Sequence, residues 1–277
     1  MKIALCNEVI RELSFPDQCK LAKSLGYDGL ELAPFTLSEN PHLLPLEERR
    51  QLRETAADAG IEIVGLHWLL LTPKGLSINS PDTDVRGKTV EVMRRLIGLC
   101  ADLGGKVLVH GSPAQRRVAA DDDLQEAWLR ARDTFTAIAS DAEDAGVTYC
   151  LEPLTREECN FINTVADAVT MVEAVGSTAV KTMIDHRAAC LAEQEPVADL
   201  LDRWMPTGLV RHIHVNETNR RGPGQGESRF APVFAALKKN RYEGVVSVEP
   251  FEYDPSGPAT AAVAIGYIRG VLEEIQS

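Results

Sequence analysis

Along the chain, short runs of consecutive apolar residues alternate with longer stretches in which apolar positions recur every three or four residues. The short runs read as strands buried on both faces, and the longer stretches read as amphipathic helices. Strands are therefore predicted at 3–6, 29–32, 61–66, 106–109, 147–151, 180–184, 209–213 and 245–248. Helices are predicted at 16–25, 46–59, 82–103, 122–145, 164–175, 196–204, 231–240 and 259–275. Gly60, Gly146 and Gly176 follow three of these helices, where a residue free to adopt the left-handed conformation closes the last turn. Thr164, with Asp167 three residues on, has the form of an N-terminal cap, although Glu or Gln is the usual partner.

Repeated β–α alternation predicts a parallel sheet, and eight units with nearly continuous apolar strands favour closure into a (β/α)8 TIM barrel of the α/β class. No G-x-G-x-x-G follows the first strand, which counts against an open dinucleotide-binding sheet. Neither a linker nor a low-complexity tract divides the chain, so residues 1–277 are expected to form one barrel domain. Segments 69–83 and 216–229 are the long loops. Both follow strands, which assigns them to the C-terminal face, where barrel enzymes carry their active sites.

Composition narrows the function. The 277 residues are 44% hydrophobic and 25% charged, ordinary for a globular chain, and the formal net charge is −12. Nucleic-acid affinity comes mostly from Lys and Arg neutralising phosphates, so this balance argues against a nucleic-acid partner. Only Arg116-Arg117 and Arg220-Arg221 are candidates for a local basic patch. Six cysteines are scattered without zinc-binding spacing, which fits reduced, mostly buried thiols. The N-terminal apolar run is too short for a signal segment, and no stretch approaches a membrane span. A soluble, cytoplasmic protein without a membrane partner is the expectation.

Glu152, Asp185, His214 and Glu249 lie at or just past the ends of the last four predicted strands. In a barrel those ends converge on one mouth, so three carboxylates and an imidazole would meet there. Such a mixed, hard donor set suits Mn²⁺, Mg²⁺ or Co²⁺ better than a structural zinc, which prefers thiolates. His67 and His110 end the third and fourth strands and are candidate substrate ligands or proton shuttles; Glu31 ends the second and is a candidate for distal hydroxyl groups. Trp68, Phe251 and Tyr253 are candidates for an apolar wall.

These residues resemble a known family. Leu151-Glu152-Pro153, Ile184-Asp185, His212-Ile213-His214-Val215-Asn216-Glu217 and Ser247-Val248-Glu249 are similar to the motifs of the sugar isomerase/epimerase superfamily with a xylose isomerase-like barrel. Within it the ketose 3-epimerases of the tagatose/psicose type resemble the chain most. The resemblance implies one divalent metal, Mn²⁺ foremost, on Glu152, Asp185, His214 and Glu249. It also implies sugar contacts from Glu158 and Arg220, each six residues after a metal ligand, as in the family. The family's histidine three residues after the metal Asp is replaced here by Ala188, so either His186 or Arg187 takes its role or the substrate differs.

The chemistry implied is proton abstraction next to a carbonyl of a ketose or keto-sugar, with Glu152 and Glu249 exchanging acid and base roles around an enediolate. An aldose–ketose isomerase could use the same site. So could a lyase or dehydratase acting on an inosose or keto-glycoside. A zinc-dependent apurinic endonuclease is a distant alternative, since its metal cluster needs the histidine missing at Ala188 and an Asp where this chain has His212. By analogy with the family, a homodimer or homotetramer is expected.

Overall fold

The computed structural model describes residues 1–275. Its strands are β1 (Lys2–Cys6), β2 (Gly29–Leu32), β3 (Glu62–Leu66), β4 (Val107–His110), β5 (Thr148–Leu151), β6 (Val180–Asp185), β7 (Val210–Val215) and β8 (Val245–Val248). Each pairs in parallel with the next, and β8 returns to β1 in the register Lys2↔Val245 to Leu5↔Val248, which closes the barrel. Two irregularities interrupt the ladder, between Leu30 and Glu31 on β2 and between Thr182 and Met183 on β6. Bulges of this kind re-aim the side chains that follow, and here those include Glu31 and Asp185.

The helices are α1 (Phe15–Leu25), α2 (Leu46–Asp58), α3 (Thr83–Asp102), α4 (Leu124–Ala145), α5 (Val165–Val175), α6 (His186–Ala192), α7 (Val197–Trp204), α8 (Ala231–Lys239) and α9 (Gly257–Glu274). All but α6 fall within two residues of the boundaries expected from apolar spacing. Gly60, Gly146 and Gly176 have φ of 69°, 62° and 70°, the left-handed stop expected of them. Thr164 and Asp167 form a reciprocal capping box despite the shorter Asp: the Asp167 N–H donates to Thr164 Oγ1 at 3.0 Å and the Thr164 N–H donates to Asp167 Oδ2 at 3.0 Å. The extra helix, α6, has seven residues and follows its strand with no intervening loop, so it carries too little apolar periodicity to be read from sequence.

The main core lies between sheet and helices, where outward strand residues such as Leu5, Leu30, Leu66, Leu108 and Ile213 meet Val92, Leu96, Phe135 and Ile268. Inside the barrel the apolar filling is small: Val109, Cys150 and Met183, with Val107 against them. Above that plug the interior becomes polar.

Candidate metal centre and active site

Successive strand residues face opposite sides, so one phase of each strand looks into the barrel. On β5 and β6 the inward residues Cys150 and Met183 belong to the apolar plug, and two positions further on the same phase delivers Glu152 and Asp185. On β7 and β8 it delivers His214, and Ser247 followed by Glu249. One ligand atom from each of Glu152, Asp185, His214 and Glu249 lies within 4.8 Å of the others, and all four residues are buried. Sequence spacing placed these four at strand ends; barrel closure brings them together.

Each is held. His214 Nδ1 is 2.9 Å from Glu249 Oε2, and Glu249 Oε1 accepts the indole N–H of Trp68 at 2.9 Å. Asp185 accepts the Ala188 N–H on Oδ1 at 2.7 Å, capping α6, and the Asn216 amide on Oδ2 at 2.8 Å. It is thus both a helix cap and a member of the cluster. Glu152 rests against Gly111: a Cβ built there would stand 1.7 Å from Glu152 Oε2, so only glycine leaves the carboxylate its place.

Beneath the cluster a second polar layer fixes the imidazoles. Glu31 accepts from or faces His214 Nε2 at 3.1 Å and His212 Nε2 at 2.8 Å, and it receives the Ser247 hydroxyl. A carboxylate on the far ring nitrogen sets the tautomer of a metal-binding histidine, here leaving Nδ1 of His214 for a cation. Glu31 is fully enclosed, so it supports His214 from below; the distal-hydroxyl role expected of it is corrected by this burial. His67 Nε2 lies 2.8 Å from Glu8 Oε2 and 3.9 Å from Glu249 Oε1, so it borders the cluster.

Five buried acids (Glu8, Glu31, Glu152, Asp185 and Glu249) surround this space. Burial, then the Glu249 charge, pushes Glu152 well above the usual carboxylate range and Asp185 up to about 6. Glu249 is also buried, but the neighbouring His214 outweighs that and holds it below the ordinary value. Burial opposes a charge on His214 too, yet Glu249 and Glu31 raise it well above an ordinary histidine. Neighbouring carboxylates with pKa values pushed apart are the arrangement that separates acid from base. The surplus of buried negative charge, together with hard oxygen and imidazole donors, fits a divalent cation.

One wall of the mouth is built around Glu158, in the turn after β5. Its Oε2 accepts the Thr155 hydroxyl at 2.8 Å and its Oε1 accepts Arg187 Nη1 at 2.9 Å. Of the two residues beside Asp185, Arg187 therefore faces this wall. His186 turns the other way: its Nδ1 meets the Asn216 carbonyl at 2.9 Å and its ring stacks on Phe230 at 4.4 Å, which corrects its expected place among the substrate contacts. Arg220 lies at the exposed rim with its guanidinium 5.2 Å from the Phe251 ring, and Trp68 sits between Phe251 and Phe35. Tyr253 packs against the main core.

His110 is also corrected. The inward phase on β4 falls on Val107 and Val109, so the His110 ring faces the helix layer, edge-on to Phe135 of α4 and 3.1 Å from the Tyr149 hydroxyl. Nor do the arginine pairs form basic patches. Arg116 is fully buried, Arg117 donates to the Glu158 carbonyl, and Arg221 pairs with Asp254 at 2.7 Å. Sequence reasoning assigned no role to Glu8 or Phe35, since neither stands out by type or spacing; Asn216 and Ser247 were visible only as parts of motifs. All six cysteines are free and five are buried. Among the described residues no helix is long and apolar enough to cross a membrane.

Residues 19–270 match the family model described as "Xylose isomerase-like TIM barrel". The chain is 29% identical over 234 residues to a D-psicose 3-epimerase of Agrobacterium fabrum, covering 84% of this chain and 77% of that one. It is 23% identical over 260 residues to the 3-dehydro-D-guloside 4-epimerase of Escherichia coli, covering 90% and 92%. Among solved structures, D-psicose 3-epimerase with D-tagatose from Clostridium cellulolyticum H10 superposes with a TM-score of 0.82 at 23% identity, over 98% of this chain and 99% of that one.

Proposed function

Since the chain belongs to the xylose isomerase-like TIM barrel family, we propose that it is a divalent-metal-dependent sugar epimerase that moves a proton at the carbon next to a ketone. The observation that carries this reading is the convergence of Glu152, Asp185, His214 and Glu249 within 4.8 Å at the mouth of the barrel. These four would hold the cation, with Mn²⁺ foremost and Mg²⁺ or Co²⁺ as alternatives. Bound there, the ion would supply Lewis acidity to stabilise the negative charge that develops next to the carbonyl.

The protein's own groups then divide the work. Glu249, whose carboxylate His214 keeps ionised, is the base that removes the proton. Glu152, the second carboxylate of the pair, returns a proton to the other face of the enediolate. The back-reaction exchanges these roles. Glu158, backed by Arg187, and Arg220 at the rim orient the sugar oxygens, while Trp68 and Phe251 exclude water from the face they cover. A second substrate class, a keto-glycoside, is supported by the match to 92% of the E. coli 4-epimerase.

Incubating the metal-loaded protein with ketoses and keto-glycosides in D₂O should place deuterium at the carbon next to the carbonyl, with the epimer appearing in parallel. Absence of exchange with every sugar in such a panel would sink the proposal. Glu152→Gln and Glu249→Gln should each lower exchange by ~10³-fold or more; retention by both would refute the two-carboxylate assignment.

A further inference from the structure

Cys6 ends β1, Glu8 lies in the turn after it and His67 follows β3, and closure of the barrel sets all three beside Glu249. Each of Cys6, Glu8, His67 and Glu249 offers one ligand atom within 4.8 Å of the other three, and all four residues are buried. A thiol, an imidazole and two carboxylates thus form a second cluster next to the first.

Glu249 belongs to both clusters, and its two oxygens divide between them. Oε2 meets His214 Nδ1 at 2.9 Å, whereas Oε1 stands 3.9 Å from His67 Nε2. On that side His67 Nε2 is 2.8 Å from Glu8 Oε2. The other Glu8 oxygen, Oε1, is buried without a hydrogen-bond partner, on a side chain only 9% exposed. Zinc holds nitrogen and oxygen donors at about 2.0–2.1 Å, so tetrahedral neighbours around it stand about 3.3 Å apart. The His67 separations of 2.8 and 3.9 Å straddle that spacing.

Behind the ring, Glu31 Oε1 is 3.7 Å from His67 Nδ1, so the carboxylate that backs His214 backs this imidazole too. Cys6 also has Glu31 and His214 ligand atoms within 4.8 Å. The Glu31 oxygens are taken up by His212, His214 and Ser247, however, while Glu8 keeps one free. Five buried acids surround this space, more charge than one divalent ion balances.

We propose that Cys6, Glu8 and His67, with Glu249 as a bridging carboxylate, form a second metal site for Zn²⁺ or its analogue Co²⁺, alongside the harder site of Glu152, Asp185 and His214. The donors decide the class of ion. A thiolate with an imidazole selects zinc or cobalt over manganese and magnesium. Binding releases the Cys6 proton to solvent. The inference goes beyond the epimerase reading and shares only Glu249 with it.

The test titrates chelator-stripped, full-length protein with Co²⁺ and follows metal content and absorption. Two equivalents should bind. One of them should produce the near-ultraviolet thiolate-to-cobalt charge-transfer band, which no ligand of the first cluster can give. Cys6→Ser should abolish the band and reduce tight binding from two equivalents to one. His67→Gln, which keeps the thiol, should weaken the equivalent that carries the band by ~100-fold or more. A single equivalent without the band in the wild type would overturn the proposal, whatever the variants do. So would a band that survives Cys6→Ser, since another cysteine would then be the ligand.

Deuterium exchange on sugars reports separately on the epimerase reading. If the band depends on Cys6 but no sugar exchanges, the second site stands and the epimerase falls. If exchange proceeds with one ion bound and no band, the second site falls and the epimerase stands.

Discussion

At the scale of single residues, the cluster depends on side chains that never touch a ligand. Glu31 is 183 positions from His214, yet its carboxylate decides which ring nitrogen of that imidazole faces the cluster. Glu31→Gln would set an amide N–H₂ against His212 or His214 and disturb that tautomer. We expect it to weaken Mn²⁺ binding by about 10- to 100-fold, as outer carboxylates on metal-bound histidines generally do, measured by calorimetric titration; unchanged affinity would show that Glu31 only fills space. The four cluster residues were legible in sequence because each stands beside an apolar run. Glu31 was legible by the same rule, but its role was not, because its burial depends on neighbours from β7 and β8.

At the scale of elements, helices were legible wherever a cap, a 3.6-residue period and a glycine stop agreed. Helix α5 had all three, and Thr164→Ala should remove one half of its capping box. The expected cost is about 1 kcal/mol, seen as a fall in melting temperature of roughly 2–4 °C with the exchange activity of the folded protein intact. The loop 216–229 shows the other limit. Glu217 is fully buried and accepts the N–H groups of Gly224 at 3.2 Å and Ser228 at 3.0 Å, which folds the loop so that Arg220 reaches Phe251. Nothing in local periodicity announces such a pin, because the bonds it makes skip seven and eleven residues.

At the scale of the whole molecule, closing the barrel forces carboxylates together, and that sets a pH dependence. A carboxyl whose folded pKa is raised binds its proton more tightly folded than unfolded, so it adds stability below its unfolded value and loses it as pH rises through the folded one. Asp185, pushed up to about 6, and Glu152, pushed up further, therefore work against the metal-free fold at neutral pH. A cation must displace the same protons. The rise in melting temperature on adding Mn²⁺ should accordingly be largest near pH 7.5 and shrink as pH falls through about 6, with chelator reversing it; a rise independent of pH would place the ion elsewhere. By itself the sequence determined the order of strands and helices, the closed parallel architecture and the residue types at the strand ends, because periodicity, caps and glycine stops act over a few neighbouring residues. Only the tertiary structure decided the phase of each strand, which turns His214 inward and His110 outward, and the company of each buried charge, which sets Glu31 against His212 and His214. Both follow from how eight strands register around one closed barrel, and no short stretch of chain contains that information.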